Sequence, residues 1–231
     1  MAGYLALVGE MGLDIVLVVM CFAMLKLTGR QNKKILCLLL ISYLLAILAD
    51  GIYNLTLNVL LMKNTVLVDS LYDIPFIGFL LFQAIAWFYI FKDSNKSAAP
   101  SKSLLFYFPY IFTAILIFCV FMFAVHWQLR YTSTIGFYQI IDTVLEAIGF
   151  SFATMSMIRA RTPFVQLLGI GYLTVVASDF MIRYGVVNNI IIPDNTFEAT
   201  WVLGLLLSTA AFFLLSRNRT KPQKTSLSLT H

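Results

Sequence analysis

Charged residues are scarce in this sequence. Only 12% of its 231 residues are Asp, Glu, Lys or Arg, whereas 60% are hydrophobic and the mean hydropathy is +0.87. Such a composition excludes an ordinary soluble domain. Cysteine and histidine are rarer still, with three and two copies and no CxxC pair, which argues against a disulfide framework or a structural zinc site. The sequence also lacks a Gly-rich phosphate loop, an HExxH motif and a Ser-His-Asp set.

Long apolar runs make up most of the chain. Seven of them are long enough to cross a bilayer, which takes about 20 residues per helix. They lie at about 3–25, 34–58, 74–92, 103–125, 135–158, 164–186 and 198–216. We therefore predict an all-α integral membrane protein with seven transmembrane helices. Residues 1–216 would form one membrane domain, and residues 217–231 a basic, disordered cytoplasmic tail.

Basic residues are unevenly divided between the two predicted sides. Thirteen fall in the first, third and fifth connections and in the tail, whereas Lys63, Arg130 and Arg183 fall on the other side. The positive-inside rule places the N-terminus outside and the C-terminus in the cytoplasm. The surplus indicates contact with anionic lipid, not with nucleic acid, because no basic stretch is interleaved with base-stacking aromatic residues.

The second and third runs resemble the sixth and seventh. Ser42-Tyr43-Leu44 precedes Ala49-Asp50 at the same spacing as Gly171-Tyr172-Leu173 precedes Ser178-Asp179. The residues that follow align without a gap, with Asp69, Asp73, Phe76, Gln83, Ala86 and Trp87 matching Asp194, Glu198, Trp201, Ser208, Ala211 and Phe212. We predict a parallel 3+1+3 internal repeat about an axis along the membrane normal. Repeat one covers about 3–92, the linker helix about 103–125 and repeat two about 135–216.

Ten of the eleven carboxylates fall on the predicted outer side. Eight form pairs spaced i, i+4, namely Glu10/Asp14, Asp69/Asp73, Asp142/Glu146 and Asp194/Glu198. This spacing puts both acids on one helical face, and acids within hydrocarbon must face an interior, a partner or water. The pattern therefore predicts an acidic cavity that opens outward. The candidate ligand-binding residues are Asp14, Asp50, Asp142, Glu146, Asp179, Arg183, Tyr43, Tyr172 and Trp201.

A purely structural interpretation stays open for several of these residues. Asp50 and Asp179 are also suited to polar ties between helices, and Arg183 lies one turn beyond Asp179, at ion-pair spacing. Acids that start the third and seventh helices, Asp73 and Glu198 among them, are suited to capping. Trp87, Trp127 and Trp201 fit the aromatic belts at the membrane interfaces.

Few cofactors suit the sequence. The seventh run contains no lysine, so a retinal Schiff base has no place to form. A divalent cation such as Ca²⁺ or Mg²⁺ prefers oxygen ligands, and Asp73 with Glu198 is the candidate set. Otherwise no cofactor is expected.

The stretch from Asp179 through Arg183-Tyr-Gly to Asp194 and Glu198-Ala-Thr-Trp201-Val-Leu-Gly204 resembles the multi-pass membrane sensor modules at the N-terminus of bacterial diguanylate cyclases and sensor histidine kinases. The resemblance covers the sixth and seventh runs well and the second and third in part. It implies a module in the bacterial inner membrane that binds a small ligand and signals to a cytoplasmic partner. No output domain follows the seventh run in this sequence.

Two other function classes stay open. The 3+1+3 arrangement is similar to that of SWEET-type sugar transporters, although their relatives' PQ motif is missing from the runs. Asp50 and Ser178-Asp179 resemble the paired membrane aspartates of YhhN-type lysoplasmalogenases, in which two carboxyls share acid and base roles. A closed outer pocket would favour sensing. A passage to the cytoplasmic side would favour transport, and a chamber that opens to lipid would favour hydrolysis.

Overall fold

The described part of the chain is helical apart from Thr162, which lies in the turn between two helices. The computed structural model describes residues 2–27, 30–55, 66–96, 134–160, 162–188 and 194–220, together with 108, 111–113, 115, 116 and 119. Side chains are described for 12–26, 33–52, 55, 71–94, 138, 140–160, 162–179, 181 and 199–217, and for the isolated residues between 108 and 119. The six helices are α1 (Ala2–Leu27), α2 (Arg30–Asn54), α3 (Val66–Lys96), α4 (Thr134–Ala160), α5 (Pro163–Asn188) and α6 (Asp194–Thr220). The isolated residues are helical too, within the predicted fourth run.

The turn between α4 and α5 shows how local sequence sets a helix boundary. The hydroxyl of Thr162 accepts a hydrogen bond from the Val165 backbone N–H at 3.4 Å, and its carbonyl accepts one from Gln166 N–H at 3.0 Å. Pro163 follows at the first helical position, where its missing N–H removes no hydrogen bond. A threonine cap and a proline therefore start α5 immediately after α4 ends.

Each helix packs mainly against its neighbours in a closed ring that follows chain order. The neighbouring pairs are α1–α2, α2–α3, α3–α4, α4–α5, α5–α6 and α6–α1. Contacts of Phe88 with Phe152, and of Phe91 with Arg159 farther along both helices, show that α3 and α4 run parallel. The end of α3 and the start of α4 therefore lie at opposite ends of the bundle.

The ring buries several acids and exposes apolar side chains. Asp14, Asp142 and Glu146 are buried, whereas Val19 is 60% and Phe213 is 59% exposed. Buried acids beneath an apolar outer surface are typical of a bundle surrounded by lipid. Four helices are long and apolar enough to cross a membrane, with spans at Lys33–Ile52, Leu71–Ser94, Ile140–Ala160 and Ala199–Arg217. A shorter apolar stretch covers Pro163–Asp179. The protein is therefore a helical membrane protein.

The two ends of the bundle carry opposite charges. At the end where α2 begins, three cations lie over aromatic rings: Lys26 over Phe22 at 5.1 Å, Lys34 over Tyr89 at 5.8 Å and Arg159 over Phe91 at 5.2 Å. We call this the basic end. At the opposite end α2 finishes shortly after Asp50. We call that the acidic end.

Three sequence predictions need correction. α3 begins at Val66, not at about 74, so Asp73 lies two turns inside the helix and does not cap it. The α6 helix continues to Thr220, past the predicted start of the tail at 217, and its last residues carry cations that suit the negative end of a helix. Trp87 is fully buried and does not belong to an interfacial belt. Residues 221–231 lie outside the described part.

Candidate functional site

Three of the predicted site carboxyls lie inside the ring. Asp14 of α1 is 2% exposed, and Asp142 and Glu146 of α4 are 3% and 1% exposed. Because Asp142 and Glu146 are four residues apart, both occupy the inward face of α4. Asp50 of α2 and Asp179 of α5 are partly buried. The structure thus places the side chains of Asp14, Asp142 and Glu146 in the interior of the bundle.

Tyr72 of α3 joins these acids into one cluster. Four aspartates lie close enough for their charges to act on its hydroxyl: Asp50, Asp73, Asp142 and Asp179. They come from four different helices. Tyr72 lies shortly before Pro75, which leaves one backbone carbonyl of α3 without its helical N–H partner. Sequence reasoning missed Tyr72 because a tyrosine near a helix end resembles an interfacial anchor.

Asp14 and Asp50 form a direct carboxyl pair. Their side chains share a hydrogen bond between α1 and α2. Two ionised carboxylates both lack a donor, so this contact requires a proton on one of them. We define the acid cluster as Tyr72 and the aspartates near it or paired with them: Asp14, Asp50, Asp73, Asp142 and Asp179.

A second polar group lies deeper in the bundle. The hydroxyl of Tyr43 is hydrogen-bonded to the side chains of Gln83 and Ser208, which joins α2, α3 and α6. All three residues are buried, and the thiol of Cys21 and the carboxyl of Asp14 lie close to the same hydroxyl. Gln83 and Ser208 entered the sequence analysis only as aligned repeat positions. A lone glutamine in an apolar run was the available signal.

Tyr172 and Trp87 lie at the inner side of the site. Their rings are 5.8 Å apart, and the charge of Glu146 acts on the Tyr172 hydroxyl. A Cβ atom at Gly149 would collide with that hydroxyl, so glycine makes room for it on α4. We call Glu146, Tyr172 and Trp87 the inner polar group, which lies between α3, α4 and α5.

Aromatic rings close the site between α3 and α6. Phe76 stacks on Tyr72 at 5.6 Å and on Trp201 at 6.3 Å between ring centroids. Trp201 therefore touches the ring that packs against Tyr72. Arg183 and Glu198 have side chains outside the described part, so the predicted Asp179–Arg183 pair and the Asp73–Glu198 metal set are not described.

Large apolar side chains fill the bundle between this site and the basic end. Met24, Leu39, Leu168 and Phe212 are at most 2% exposed and belong to one core cluster. Among the described residues, these apolar side chains lie between the acid cluster and the basic end.

A groove of about 370 Å³ lies on the outer surface of α5. Its lining is mostly apolar and runs from Ile170 to Met181, with Phe150 and Thr200 from the neighbouring helices. The Ser178 and Thr200 hydroxyls are hydrogen-bonded to each other in its wall. The groove faces the surroundings of the bundle and adjoins Asp179 in sequence.

The described ranges contain no group of three or more Asp, Glu, His or Cys side chains placed to hold a metal ion. The acid cluster is therefore more open than an all-carboxylate metal cage. Comparisons with protein-family models, with curated proteins and with solved structures found no match for this chain.

Proposed function

We propose that this protein is a receptor-like membrane module that binds a small organic cation in its acid cluster. The observation that carries the proposal is the meeting of aspartates from four helices around one tyrosine inside an apolar-faced bundle, with a fifth, Asp14, hydrogen-bonded to Asp50. Each ionised carboxylate buried in hydrocarbon costs roughly 2.5–3.5 kcal/mol on insertion scales. A cation that neutralises several of them at once offsets that cost.

The spread of the cluster favours an organic cation over a single metal ion. Ca²⁺ gathers six to eight oxygen atoms within about 2.6 Å. The aspartates surround Tyr72 from several helices without forming such a compact set among the described residues. An amine is larger, and its N–H groups reach separate carboxylates. The stacked rings of Tyr72, Phe76 and Trp201 add faces that attract cations.

The proposed topology has seven transmembrane helices, with the acidic end outside and the basic end in the cytoplasm. Lys26, Lys34 and Arg159 at the basic end support this orientation under the positive-inside rule. The parallel arrangement of α3 and α4 supports a fourth span, because the chain between them must cross the bundle once more. In this orientation the acid cluster faces the outside.

The proposed repeat relates α1–α3 to α4–α6. Its support is a matching contact in each half. Ser42 of α2 donates to the Phe79 carbonyl of α3 at 3.1 Å. The corresponding positions of α5 and α6 are Gly171 and Gly204, where a Cβ on Gly171 would lie 2.6 Å from the Gly204 carbonyl oxygen. The ring order also repeats after three helices.

Signalling completes the proposal. The apolar core below the site favours a receptor over a transporter, because Leu39, Leu168 and Phe212 occupy the route to the basic end. The resemblance of the Asp179–Gly204 region to bacterial sensor modules favours a cytoplasmic signalling partner and the bacterial inner membrane. A ligand that draws aspartates of several helices together would change the packing of those helices, and the change would reach their cytoplasmic ends.

One observation favours a second function, lipid hydrolysis. The groove beside Ser178 opens toward the surrounding lipid, and Asp14 and Asp50 form a proton-sharing pair of the kind that acid–base catalysis uses. A lipid entering sideways would meet Ser178 and Thr200 before it reached Asp179. The groove and the Asp14–Asp50 pair involve different helices, which is why receptor function remains the main proposal.

Thermal unfolding of purified protein in detergent tests the cation site. n-Pentylamine, tetramethylammonium and Ca²⁺ are the probes. A bound cation at one hundred times its Kd should stabilise the fold by about 2.7 kcal/mol. Asp50→Asn and Asp179→Asn should weaken the response to the amines, whereas Asp93→Asn at the basic end should match the wild type.

Two results would overturn the receptor proposal. Equal amine responses from all three variants would show that the acid cluster has no ligand. Hydrolysis of a lysoplasmalogen by the wild type, lost in Asp50→Asn but retained in Asp93→Asn, would establish the second function in its place.

A further inference from the structure

Two buried hydrogen-bond donors near Glu146 have no acceptor among the described residues. One is the hydroxyl of Tyr172, whose residue is 4% exposed, and the other is Nε1 of Trp87, which is fully buried. A buried donor without an acceptor leaves its desolvation uncompensated, so native proteins rarely contain two such groups side by side. Their rings are only 5.8 Å apart. The pair is therefore positioned to donate to an acceptor that the described residues do not supply.

Tyr43 shows what a satisfied tyrosine looks like in the same bundle. It is as deeply buried as Tyr172, yet its hydroxyl is hydrogen-bonded to Gln83 and Ser208. Burial alone thus does not prevent hydrogen bonding here. The unpaired hydroxyl is a particular property of the Tyr172 side of the bundle.

The inner polar group adjoins the acid cluster on the side that faces the basic end. Glu146 acts on the Tyr172 hydroxyl, and Asp142 acts on Tyr72 of the acid cluster. Asp142 and Glu146 are four residues apart on α4, which corresponds to about 6 Å along a helix. Glycine at 149 provides the space in which the hydroxyl lies. The acid cluster and the inner donors are thus two ends of one interior site.

We infer that Tyr172 and Trp87 bind an oxygen atom of the ligand, and that the ligand is an amino alcohol of about 6 Å between nitrogen and oxygen. Its ammonium group lies among the aspartates, and its hydroxyl accepts hydrogen bonds from the two inner donors. The inference rests on the proposed cation site. It adds the substrate class and explains why the two inner donors are unpaired without a ligand.

Two isosteric amines separate the inner site from the cation site. 4-Aminobutan-1-ol and n-pentylamine have the same length and charge, but only the first has an oxygen. We expect the wild type to bind aminobutanol about tenfold more tightly, as one good hydrogen bond would give. Tyr172→Phe should reduce this ratio to about threefold, because Trp87 still donates, while the variant still binds pentylamine. Tyr89→Phe, which removes a hydroxyl near the basic end, should keep the ratio.

Each outcome of the titrations decides a different point. Equal affinity of the wild type for the two amines would overturn the inner site and leave the cation site intact. Binding of neither amine would overturn the cation site, and the inference with it. A Tyr172→Phe variant that is less stable without ligand, with an unchanged ratio, would assign the two donors to bound water and overturn the inference.

Discussion

The two halves of the ring differ in how their equivalent helix pairs, α2–α3 and α5–α6, contact each other. Where α2 crosses α3, Ser42 bonds the Phe79 carbonyl, and the space beside Gly78 is filled by the flexible side chain of Leu45. Where α5 crosses α6, Gly171 and Gly204 bring the two backbones close together, with Ser208 and Val175 packed beside them. Small residues are the usual means of close helix approach in membranes. The first crossing can adjust, whereas the second has no freedom to do so.

Among the variants that test this comparison, Gly171→Ala should change the free energy of unfolding most. The new Cβ would lie 2.6 Å from the Gly204 carbonyl oxygen, a backbone atom that cannot move without shifting α6. We expect a loss of about 3 kcal/mol in the free energy of unfolding. Unfolding by SDS titration in mixed micelles, followed by circular dichroism, measures it.

Gly78→Ala is the matched control. Its Cβ would meet only a terminal methyl of Leu45, at 2.9 Å, and alanine favours the helix by about 1 kcal/mol over glycine. The net change should therefore stay below about 1 kcal/mol. Equal losses from the two variants would mean that the two crossings are equally tight.

The second contrast between the halves is hydrogen bonding by Tyr43 and Tyr172. Without ligand, Tyr43→Phe should lower the free energy of unfolding by about 1.5 kcal/mol, because buried Gln83 loses a partner. Tyr172→Phe removes a hydroxyl without an acceptor among the described residues and should be neutral or stabilising. The same SDS titration compares them. A Tyr172→Phe variant as unstable as Tyr43→Phe would show that both hydroxyls are paired.

Much of the architecture follows from hydropathy and charge. The predicted runs match the bounds of α1, α2, α4, α5 and α6 to within about four residues, because polar residues border most of them in the sequence. The depth of Asp14 and Glu146 was predictable too, since acids deep in apolar helices must face an interior. The start of α3 was not, because Asp69 and Asp73 interrupt the apolar run and separate Val66–Val68 from it.

The sequence did not predict that the side chains of the acid cluster would converge on Tyr72, for a physical reason. Hydropathy shows which residues are in the membrane but says little about which face of an apolar helix points inward. Trp87 and Phe213 are equally apolar in sequence, yet one is fully buried and the other is 59% exposed. Tyr72 as the centre of the acid cluster depends on the rotation of four helices. Only three-dimensional packing sets that rotation.

The smallest expected effect concerns the hydrogen bond that holds the first crossing. Ser42 donates to the Phe79 carbonyl of another helix, whereas Ser151 donates to the Ala147 carbonyl of its own helix at 2.8 Å. Both serines are fully buried, so alanine removes one hydrogen bond at each site. Hydrogen bonds between membrane helices contribute about 0.6 kcal/mol on average.

Ser42→Ala should therefore cost about 0.6 kcal/mol, and Ser151→Ala about zero, since alanine's higher helix propensity offsets the lost local bond. Double-jump unfolding in mixed micelles resolves differences of this size when the variants are measured in parallel. If the two variants lose the same amount, the bond between α2 and α3 contributes nothing. The first crossing would then be held by side-chain packing alone, as the second is held by backbone contact. Both crossings would then depend on van der Waals contact, and the halves would differ only in the size of the residues at the crossing.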